Sequence, residues 1–241
     1  MLRPFALAAS LLLTLAAPAR AIIGGQEAGA DLGTHVVMLS SDRGSFCSAA
    51  VIAPDLLLTA GHCVRAGANY RLLTYAQGRP VLSELGAIAV HPGFDESAYE
   101  GRKFIVDLAL VRLKAPLVGY AALPLAAEAG VAGQTYRIAG FGVSAQGAGR
   151  TGGVLREAML MGVAPVSKIQ LRLKAAAGVA GSCQGDSGGP VLHDGVLIGI
   201  LASAVGPGQS HGCGGATGVA LVGAALPWIR ATATRLGTGL P

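Results

Sequence analysis

Gly185-Asp186-Ser187-Gly188-Gly189-Pro190 is the most informative stretch of this 241-residue sequence. Glycines close to a serine on both sides give its hydroxyl little steric cover, so a substrate carbonyl can approach closely. Gly185 and Gly188 can also adopt backbone angles that other residues resist. That freedom lets successive N–H groups converge on one oxygen, as the stabilisation of a tetrahedral intermediate requires. The stretch therefore predicts that Ser187 is a nucleophile beside an oxyanion-binding turn.

A serine hydroxyl is a weak nucleophile at neutral pH, so it needs a base and a group that orients the base. The chain offers both upstream, in Leu58-Thr59-Ala60-Gly61-His62-Cys63 and in Asp107-Leu108-Ala109-Leu110-Val111. We predict that His62 is the general base and then the general acid. Asp107 is the predicted acceptor that fixes the histidine tautomer and stabilises the imidazolium.

In the order His62, Asp107, Ser187, these segments resemble the trypsin/chymotrypsin-like serine peptidases. The resemblance runs from Ile22 to about Trp228, and the Ala- and Gly-rich composition suits a secreted member of bacterial type. It implies an all-β fold of two packed six-stranded antiparallel β-barrels with the site between them. It also implies a serine endopeptidase that hydrolyses peptide bonds through an acyl-enzyme intermediate.

The residue pattern alone indicates many short strands, and periodicity leaves a sandwich or a barrel open. The predicted strands are 36–40, 49–52, 56–59, 87–90, 108–113, 135–139, 158–163, 190–192, 196–202 and 218–222. The resemblance implies an N-terminal barrel over 22–118 and a C-terminal barrel with its helix over 119–241, which together make one peptidase unit. In the segment 226–237, Pro227 suits the first turn of a short helix and Gly237 its end. We expect Trp228 of this helix to pack on the second barrel.

The N-terminus is typical of a secretory signal peptide. Arg3 supplies the positive charge, 5–17 form an apolar run too short to span a membrane, and Ala19-Arg20-Ala21 is a small-x-small cleavage site. We therefore expect residues 1–21 to be removed after Ala21, with a cut after Arg20 as the alternative. The mature chain is expected in a periplasm or outside the cell, with no membrane span.

Cleavage after Ala21 exposes Ile22. The resemblance implies that its ammonium group pairs with Asp186, since a buried carboxylate is costly unless paired. That pair would hold the backbone of Gly185 and Ser187, whose N–H groups are the predicted oxyanion donors. No propeptide separates the predicted signal site from Ile22, so we expect signal cleavage itself to create the active N-terminus.

An exported chain meets an oxidising compartment, where its four cysteines are expected to pair. Their spacing alone allows three connectivities. The resemblance implies Cys47–Cys63, which would brace the loop of His62, and Cys183–Cys213, which would lie in the wall beside the serine.

Composition limits the classes of partner. The chain is 52% hydrophobic and 13% charged, which argues against disorder. Removal of the signal leaves 16 basic and 13 acidic residues, with no run of Lys or Arg, so polypeptide substrates and not nucleic acids are the predicted partners. We expect a monomer. The sequence has no His, Cys, Asp or Glu cluster with metal-ligand spacing, so neither a metal nor another cofactor is predicted.

The resemblance also implies a specificity pocket. Gly181, six residues before the serine, lies at its base, followed by Ser182, and the lack of an aspartate at 181 argues against cleavage after Lys or Arg. Gly218 is a second pocket position. Ser203 and Val205 line the third side, where a valine in place of glycine narrows the pocket. Small or medium apolar residues are therefore favoured over aromatic ones.

Two alternatives remain open from the sequence. Ala204 and Phe141 replace common tryptophans of the family, and a cleft altered in this way is compatible with a non-catalytic binding protein on the same scaffold. Gly185-x-Ser187-x-Gly189 also fits the nucleophile elbow of α/β-hydrolases. That fold needs a helix after the serine, and Gly188-Gly189-Pro190 is a poor helix opening.

Overall fold

The computed structural model describes residues 22–76, 78–101, 103, 105–177, 179–209 and 212–241. The predicted signal peptide, with its cleavage site at Ala21, lies outside the described residues. Among those residues, no helix is both long and apolar enough to cross a membrane.

The described residues form thirteen strands: β1 (Gln26–Glu27), β2 (Val36–Ser41), β3 (Phe46–Ala53), β4 (Leu56–Thr59), β5 (Tyr70–Ala76), β6 (Arg79–Val90), β7 (Ala109–Leu113), β8 (Thr135–Gly140), β9 (Arg156–Val163), β10 (Gln170–Lys174), β11 (Pro190–His193), β12 (Val196–Val205) and β13 (Ala216–Leu221). Three α-helices are described: α1 (Ala30–Gly33), α2 (Glu96–Glu100) and α3 (Leu226–Arg235). Short 3-10 turns cover Gly61–Val64, Gly149–Thr151, Pro207–Gln209 and Gly223–Ala225.

The first barrel closes in the order β2-β3-β4-β7-β6-β5, and every pair is antiparallel. Its most apolar strand is β3, in which every residue from Ser48 to Ala53 is buried. A strand buried on both faces shows a continuous apolar run instead of an alternation. Here the second face of β3 meets the other half of the molecule, because residues of both barrels share the larger core cluster.

The second barrel consists of β8, β9, β10, β13, β12 and β11, and the pairing of β11 with β8 closes it. The predicted all-β fold of two six-stranded antiparallel barrels is therefore confirmed. The α/β-hydrolase alternative is wrong, because β11 begins at Pro190, directly after the serine loop, where that fold requires a helix.

Three strands, β1, β5 and β10, were not expected from the sequence, nor were residues 79–86 of β6. The β5–β6 hairpin keeps apolar side chains at the surface, with Leu82 63% exposed, so the alternation typical of a half-buried strand is lost. In β10 only Leu171 and Leu173 are buried, and the strand is too short for that alternation to stand out.

The first described residue and the last helix each pack against the barrel that is farther from them in the sequence. Ile22, which precedes the first barrel, is fully buried in the core of the second. The helix α3, which follows the second barrel, packs against the first: Trp228 meets the ring of His91 edge-on at 4.7 Å, and Arg112 Nε donates to the Leu236 carbonyl at 3.3 Å. The expectation that Trp228 packs on the second barrel is therefore wrong, because α3 lies against β7 and His91 of the first.

Candidate active site

The predicted base and its acid partner lie at the ends of two paired strands of the first barrel. β4 passes into the turn Gly61–Val64 that carries His62, and Asp107 stands two residues before β7. The His62 backbone N–H donates to Asp107 Oδ1 at 2.9 Å, and His62 Nδ1 lies 2.7 Å from Asp107 Oδ2. Asp107 is 1% exposed. Both oxygens of one buried carboxylate therefore bind His62, and the Nδ1 edge of the imidazole is directed at Asp107.

The loop that carries Ser187, the predicted nucleophile, is held by hydrogen bonds from Ser48 on β3. The Ser48 N–H donates to the Ser187 carbonyl at 2.8 Å, and Ser48 Oγ donates to the Gly185 carbonyl at 2.9 Å. Gly185 and Gly188 have φ angles of +93° and +84°. A Cβ atom at Gly188 would lie 2.0 Å from the Ser48 carbonyl oxygen. Position 188 therefore needs glycine for its backbone angle and for space, and Ser187 is left half-buried at the surface of the turn.

Two backbone donors in this loop are unused. Within the part of the chain that the structure describes, the N–H groups of Gly185 and Ser187 have no hydrogen-bond partner. The neighbouring amides of Asp186, Gly188 and Gly189 are engaged at 2.7–3.1 Å. Buried N–H groups without partners are rare in native proteins. The two free donors are the pair predicted to bind an oxyanion.

The Cys47–Cys63 disulfide joins the two halves of the site. Cys63 Sγ lies 3.8 Å from His62 Nε2 and 3.6 Å from the carbonyl oxygen of Ser187. The same sulfur atom therefore contacts both His62, through the ring nitrogen that faces away from Asp107, and the main chain of Ser187. The other disulfide is Cys183–Cys213, so the structure contains both pairings that the resemblance implies.

The same cluster offers atoms that could be mistaken for metal ligands. One atom each of Cys47, His62 and Cys63 lies within 4.8 Å of the others. Both sulfur atoms are bonded to each other, and a cysteine binds a metal as a free thiolate. This cluster is therefore part of the site's scaffold and not a metal centre.

Asp186, beside the serine, is fully buried. Its Oδ1 accepts the Gly142 N–H and its Oδ2 accepts the Cys183 N–H, both at 2.8 Å. Burial raises the pKa of this carboxyl to about 7, although these two amides and the charge of Arg156 act in the opposite direction. Ile22, with residue 21 still attached, is also fully buried. The predicted N-terminal partner and its carboxylate thus both lie inside the second half of the molecule.

The base of the predicted pocket is tightly packed. The Gly181 N–H donates to the Ile23 carbonyl at 3.0 Å, and a Cβ atom at 181 would lie 3.2 Å from Thr217 Oγ1. The Ser182 N–H donates to Thr217 Oγ1 at 2.9 Å, and the two hydroxyl oxygens lie 3.0 Å apart. No carboxylate occupies position 181, and the hydroxyls of Ser182 and Thr217 bind each other.

The sides of the predicted pocket are formed by β12 and β13. Ser203 pairs with Gly218, and Val205 pairs with Ala216. A Cβ atom at Gly218 would lie 2.2 Å from Ser203 Oγ, so Ser203 fills the space that the glycine leaves. Val205 is half-buried. The residues predicted to line the pocket are thus neighbours across one strand pair.

Comparison with known proteins identifies the family. The sequence model of the family described as Trypsin matches residues 22–229. The chain belongs to the trypsin family. It is 32% identical over 196 residues to a trypsin-like protease of Streptomyces glaucescens, a match that covers 74% of this chain and 68% of that relative. It is 30% identical over 206 residues to a trypsin of Saccharopolyspora erythraea, covering 75% and 86% of the two chains.

Two solved structures share the fold of this chain. Human heparin binding protein superposes with a TM-score of 0.75 at 21% identity, covering 91% of this chain and 100% of that one. Neuropsin, a serine protease expressed in mouse brain, superposes with a TM-score of 0.73 at 21% identity, covering 88% and 99%. At this level of identity the likeness concerns the fold.

Three residues of this trypsin-family site were not predicted from the sequence. Ser48 holds the serine loop, Thr217 binds Ser182, and Tyr99 stacks on His62 with ring centroids 4.4 Å apart. Ser48 directly follows a disulfide cysteine, and Thr217 directly precedes a predicted pocket glycine, so both stood beside recognisable positions. Nothing in the local sequence around Tyr99 signals its contact, which depends on how α2 folds back.

Proposed function

We propose that this member of the trypsin family is a secreted serine endopeptidase that uses Ser187, His62 and Asp107. The observation that carries the proposal is the double hydrogen bond between His62 and buried Asp107, which leaves His62 Nε2 on the side of the ring that meets the Cys63 sulfur. That same sulfur contacts the main chain of Ser187. This arrangement suits a general base that is oriented by a carboxylate and directed toward a hydroxyl.

The proposed reaction begins with attack of Ser187 Oγ on the scissile carbonyl carbon. His62 Nε2 accepts the hydroxyl proton, and Asp107 stabilises the imidazolium that forms. The carbonyl oxygen becomes an oxyanion and accepts hydrogen bonds from the free N–H groups of Gly185 and Ser187. His62 then donates its proton to the leaving amine as the C–N bond breaks. Water, deprotonated by His62, hydrolyses the resulting ester on Ser187.

The two free amides are central to this step. A donor that is already aimed at the developing charge costs no reorganisation during the reaction. Loss of one such donor in a related site lowers turnover by about 10²–10³-fold. The left-handed backbone at Gly185 and the bonds from Ser48 to the turn keep these amides directed away from other partners.

For specificity, we propose a pocket that takes small or medium apolar side chains. A pocket that binds Lys or Arg needs a carboxylate to offset the buried cation, and position 181 is a glycine packed close to Thr217. Val205, on β12 beside Ala216 of β13, is the residue expected to narrow the pocket. We expect a panel of peptide amides to be cleaved after Ala or Val in preference to Arg or Phe. Preferred cleavage after Arg would contradict the proposed pocket, and Val205→Gly should raise cleavage after Phe.

We further propose that removal of residues 1–21 completes the site. A new ammonium group on Ile22 would offset the buried charge of Asp186, whose neighbours on both sides carry the oxyanion donors. N-terminal sequencing of active, exported protein is expected to begin at Ile22. Active material with another first residue would rule this step out, while leaving the proposed reaction untouched.

The experiment that tests the proposed function is hydrolysis of denatured casein by a chain that begins at Ile22. We expect cleavage, its loss on treatment with a serine-directed fluorophosphonate, and its loss in Ser187→Ala. Ser167→Ala, which alters an exposed serine, is the matched control and should retain activity. Absence of turnover in folded, correctly processed protein would favour the alternative of a non-catalytic binding protein on this scaffold.

A further inference from the structure

A short helix covers one face of the predicted catalytic imidazole. The ring of Tyr99 on α2 lies parallel to the ring of His62, with an angle of 16° between the planes and 4.4 Å between the centroids. Tyr99 is half-buried, and this partial burial and the nearby charge of Asp107 raise the pKa of its phenol to about 12. The tyrosine is therefore neutral at physiological pH and presents an aromatic face to the imidazole.

The helix α2 has little of its own to hold it there. None of its residues is buried, and Asp95 caps it by accepting the Ala98 N–H at 2.7 Å. Among the described residues, Arg65 ties it to the His62 turn, with Nη1 2.7 Å from Glu96 Oε1 and 3.5 Å from Glu100 Oε1. The same guanidinium lies 5.3 Å from the centre of the Tyr99 ring.

Arg65 directly follows the turn Gly61–Val64 that carries His62. One short segment therefore bears both the imidazole and the cation that ties α2 over it. Phe94 lies between Tyr99 and the His62 turn. Its ring centroid is 6.2 Å from that of Tyr99, and a Cβ atom at Gly61 would lie 3.0 Å from the Phe94 ring. The position of Tyr99 is thus set by residues on both sides of the His62 turn.

Asp107 alone does not restrain the imidazole completely. Its two hydrogen bonds hold Nδ1 and the backbone N–H of His62, and the ring can still rock about the Nδ1···Oδ2 line. An aromatic face packed against the ring opposes that motion. Such a face also attracts the positive charge that His62 acquires when it accepts a proton.

We propose that Tyr99 is a positioning residue for His62, which keeps the ring plane aligned for proton transfer and is itself held by Arg65. The inference rests on the proposed peptidase function. It predicts a defect in the chemical step when the aromatic ring is removed. The opposite view treats α2 as a lid that obstructs the site, and it predicts faster turnover when Tyr99 is removed.

The test uses the chain that begins at Ile22 and a small substrate, the ethyl ester of N-acetylalanine, whose contacts are too few to involve α2 extensively. We expect Tyr99→Leu to lower kcat by about 3–30-fold, the range that corresponds to a cation–π contact. KM should change by less than about 2-fold, because ground-state binding is not affected. Tyr99→Phe keeps the ring and should retain the kcat of the parent chain.

Two further variants keep the result interpretable. Tyr75→Leu makes the same substitution at a tyrosine that is 53% exposed on β5, and kcat should stay unchanged. Arg65→Gln removes the ion pairs to α2 without removing any buried side chain, and it should also lower kcat. In the double variant with Tyr99→Leu, it should cause little further loss of kcat. Proton NMR gives a readout that stability alone would not move: the His62 ring protons should be shifted upfield by the aromatic ring in the parent and in Tyr99→Phe, but not in Tyr99→Leu.

An unchanged or higher kcat in Tyr99→Leu, with the parent chain active, would overturn the positioning role and leave the proposed function intact. A change confined to KM would overturn it as well. An inactive parent chain, or undiminished activity in Ser187→Ala, would instead refute the proposed function and this inference with it. If Tyr99→Leu fails to fold, an unchanged kcat in Arg65→Gln together with unshifted His62 ring protons in the parent chain is the overturning result.

Discussion

Asp107 and Asp186 are both almost completely buried, but they have different partners. Asp107 accepts two hydrogen bonds from His62, one from the backbone and one from the ring. Asp186 accepts two backbone amides, and its burial raises the pKa of its carboxyl to about 7. The carboxylate on the first barrel thus has its side-chain partner within the uncleaved chain. Under the proposed function, the carboxylate beside Ser187 receives its partner only when cleavage frees Ile22.

The largest expected effect comes from Asp107→Asn. An asparagine amide would favour the wrong tautomer of His62, and in the related triad this change lowers kcat by about 10⁴-fold. The folded structure should persist, as judged by circular dichroism, and casein or ester hydrolysis gives the rate. A loss smaller than about tenfold would show that catalysis by His62 does not depend on this carboxylate. Asp107 and Asp186 would then differ only in their hydrogen-bond partners and not in their roles.

The second effect concerns Asp186 and compares chains that begin at Ala21 and at Ile22. In the longer chain the folded-state pKa of Asp186 is raised above its unfolded value of 3.8 to about 7. The folded state then binds a proton that the unfolded state has lost. Stability is therefore highest below the unfolded pKa and falls as pH rises from about 4 to about 7, by up to about 4 kcal/mol.

Urea unfolding across this pH range measures that slope. In the chain that begins at Ile22, the ammonium group should offset the charge of Asp186 and flatten the slope. Asp186→Asn should flatten it in the longer chain, because the substituted amide does not ionise. Identical pH profiles for the two chains would contradict the proposed pair between Ile22 and Asp186.

A matched pair of glycine substitutions compares the space around the two carboxylates. A Cβ atom at Gly142 would lie 2.5 Å from Asp186 Cγ, whereas one at Gly61 would lie 3.2 Å from Asp107 Oδ1. We expect Gly142→Ala to lower the free energy of unfolding by about 1–3 kcal/mol, the usual cost of overpacking a core. Gly61→Ala should cost less, since the neighbouring Phe94 ring can move by a few tenths of an ångström. Equal losses by denaturant titration would mean that the two sites are packed alike.

The smallest effect is expected at an aspartate outside the site. Asp31 is exposed and pairs with Arg137 across to the second barrel. Exposed ion pairs contribute little, because water and salt screen them. Asp31→Asn should leave ester hydrolysis unchanged and barely alter the melting temperature. A loss of activity comparable to that of Asp107→Asn would show that removing any paired aspartate is harmful. The effect of Asp107→Asn could then not be assigned to its contact with His62.

Much of the fold was accessible from the sequence because its strongest signals are local. The segment from Cys183 to Pro190 and the segment of His62 each carry glycine, a disulfide cysteine and a reactive side chain within a few residues. The resemblance built on these segments predicted the two barrels. The β5–β6 hairpin was harder to predict, since exposed apolar side chains such as Leu82 remove the alternation on which strand prediction depends.

The contacts that were missed are long-range. Trp228 follows the second barrel in the chain, yet it packs on His91 of the first, and no local pattern encodes such a crossing. Thr217 binds Ser182 across 35 positions of sequence, and Tyr99 reaches His62 through a helix of five residues that has no buried side chain. The geometry of the Gly185–Ser187 amides likewise depends on Ser48, a residue of the other barrel.

The most direct test of the central claim is mass spectrometric mapping of the fluorophosphonate adduct on chains that begin at Ile22. We predict a single adduct, on Ser187, whose rate of formation falls by about 10³-fold or more in His62→Ala, since the hydroxyl then lacks its base. An adduct on another residue, or labelling of Ser187 at the same rate without His62, would contradict this claim.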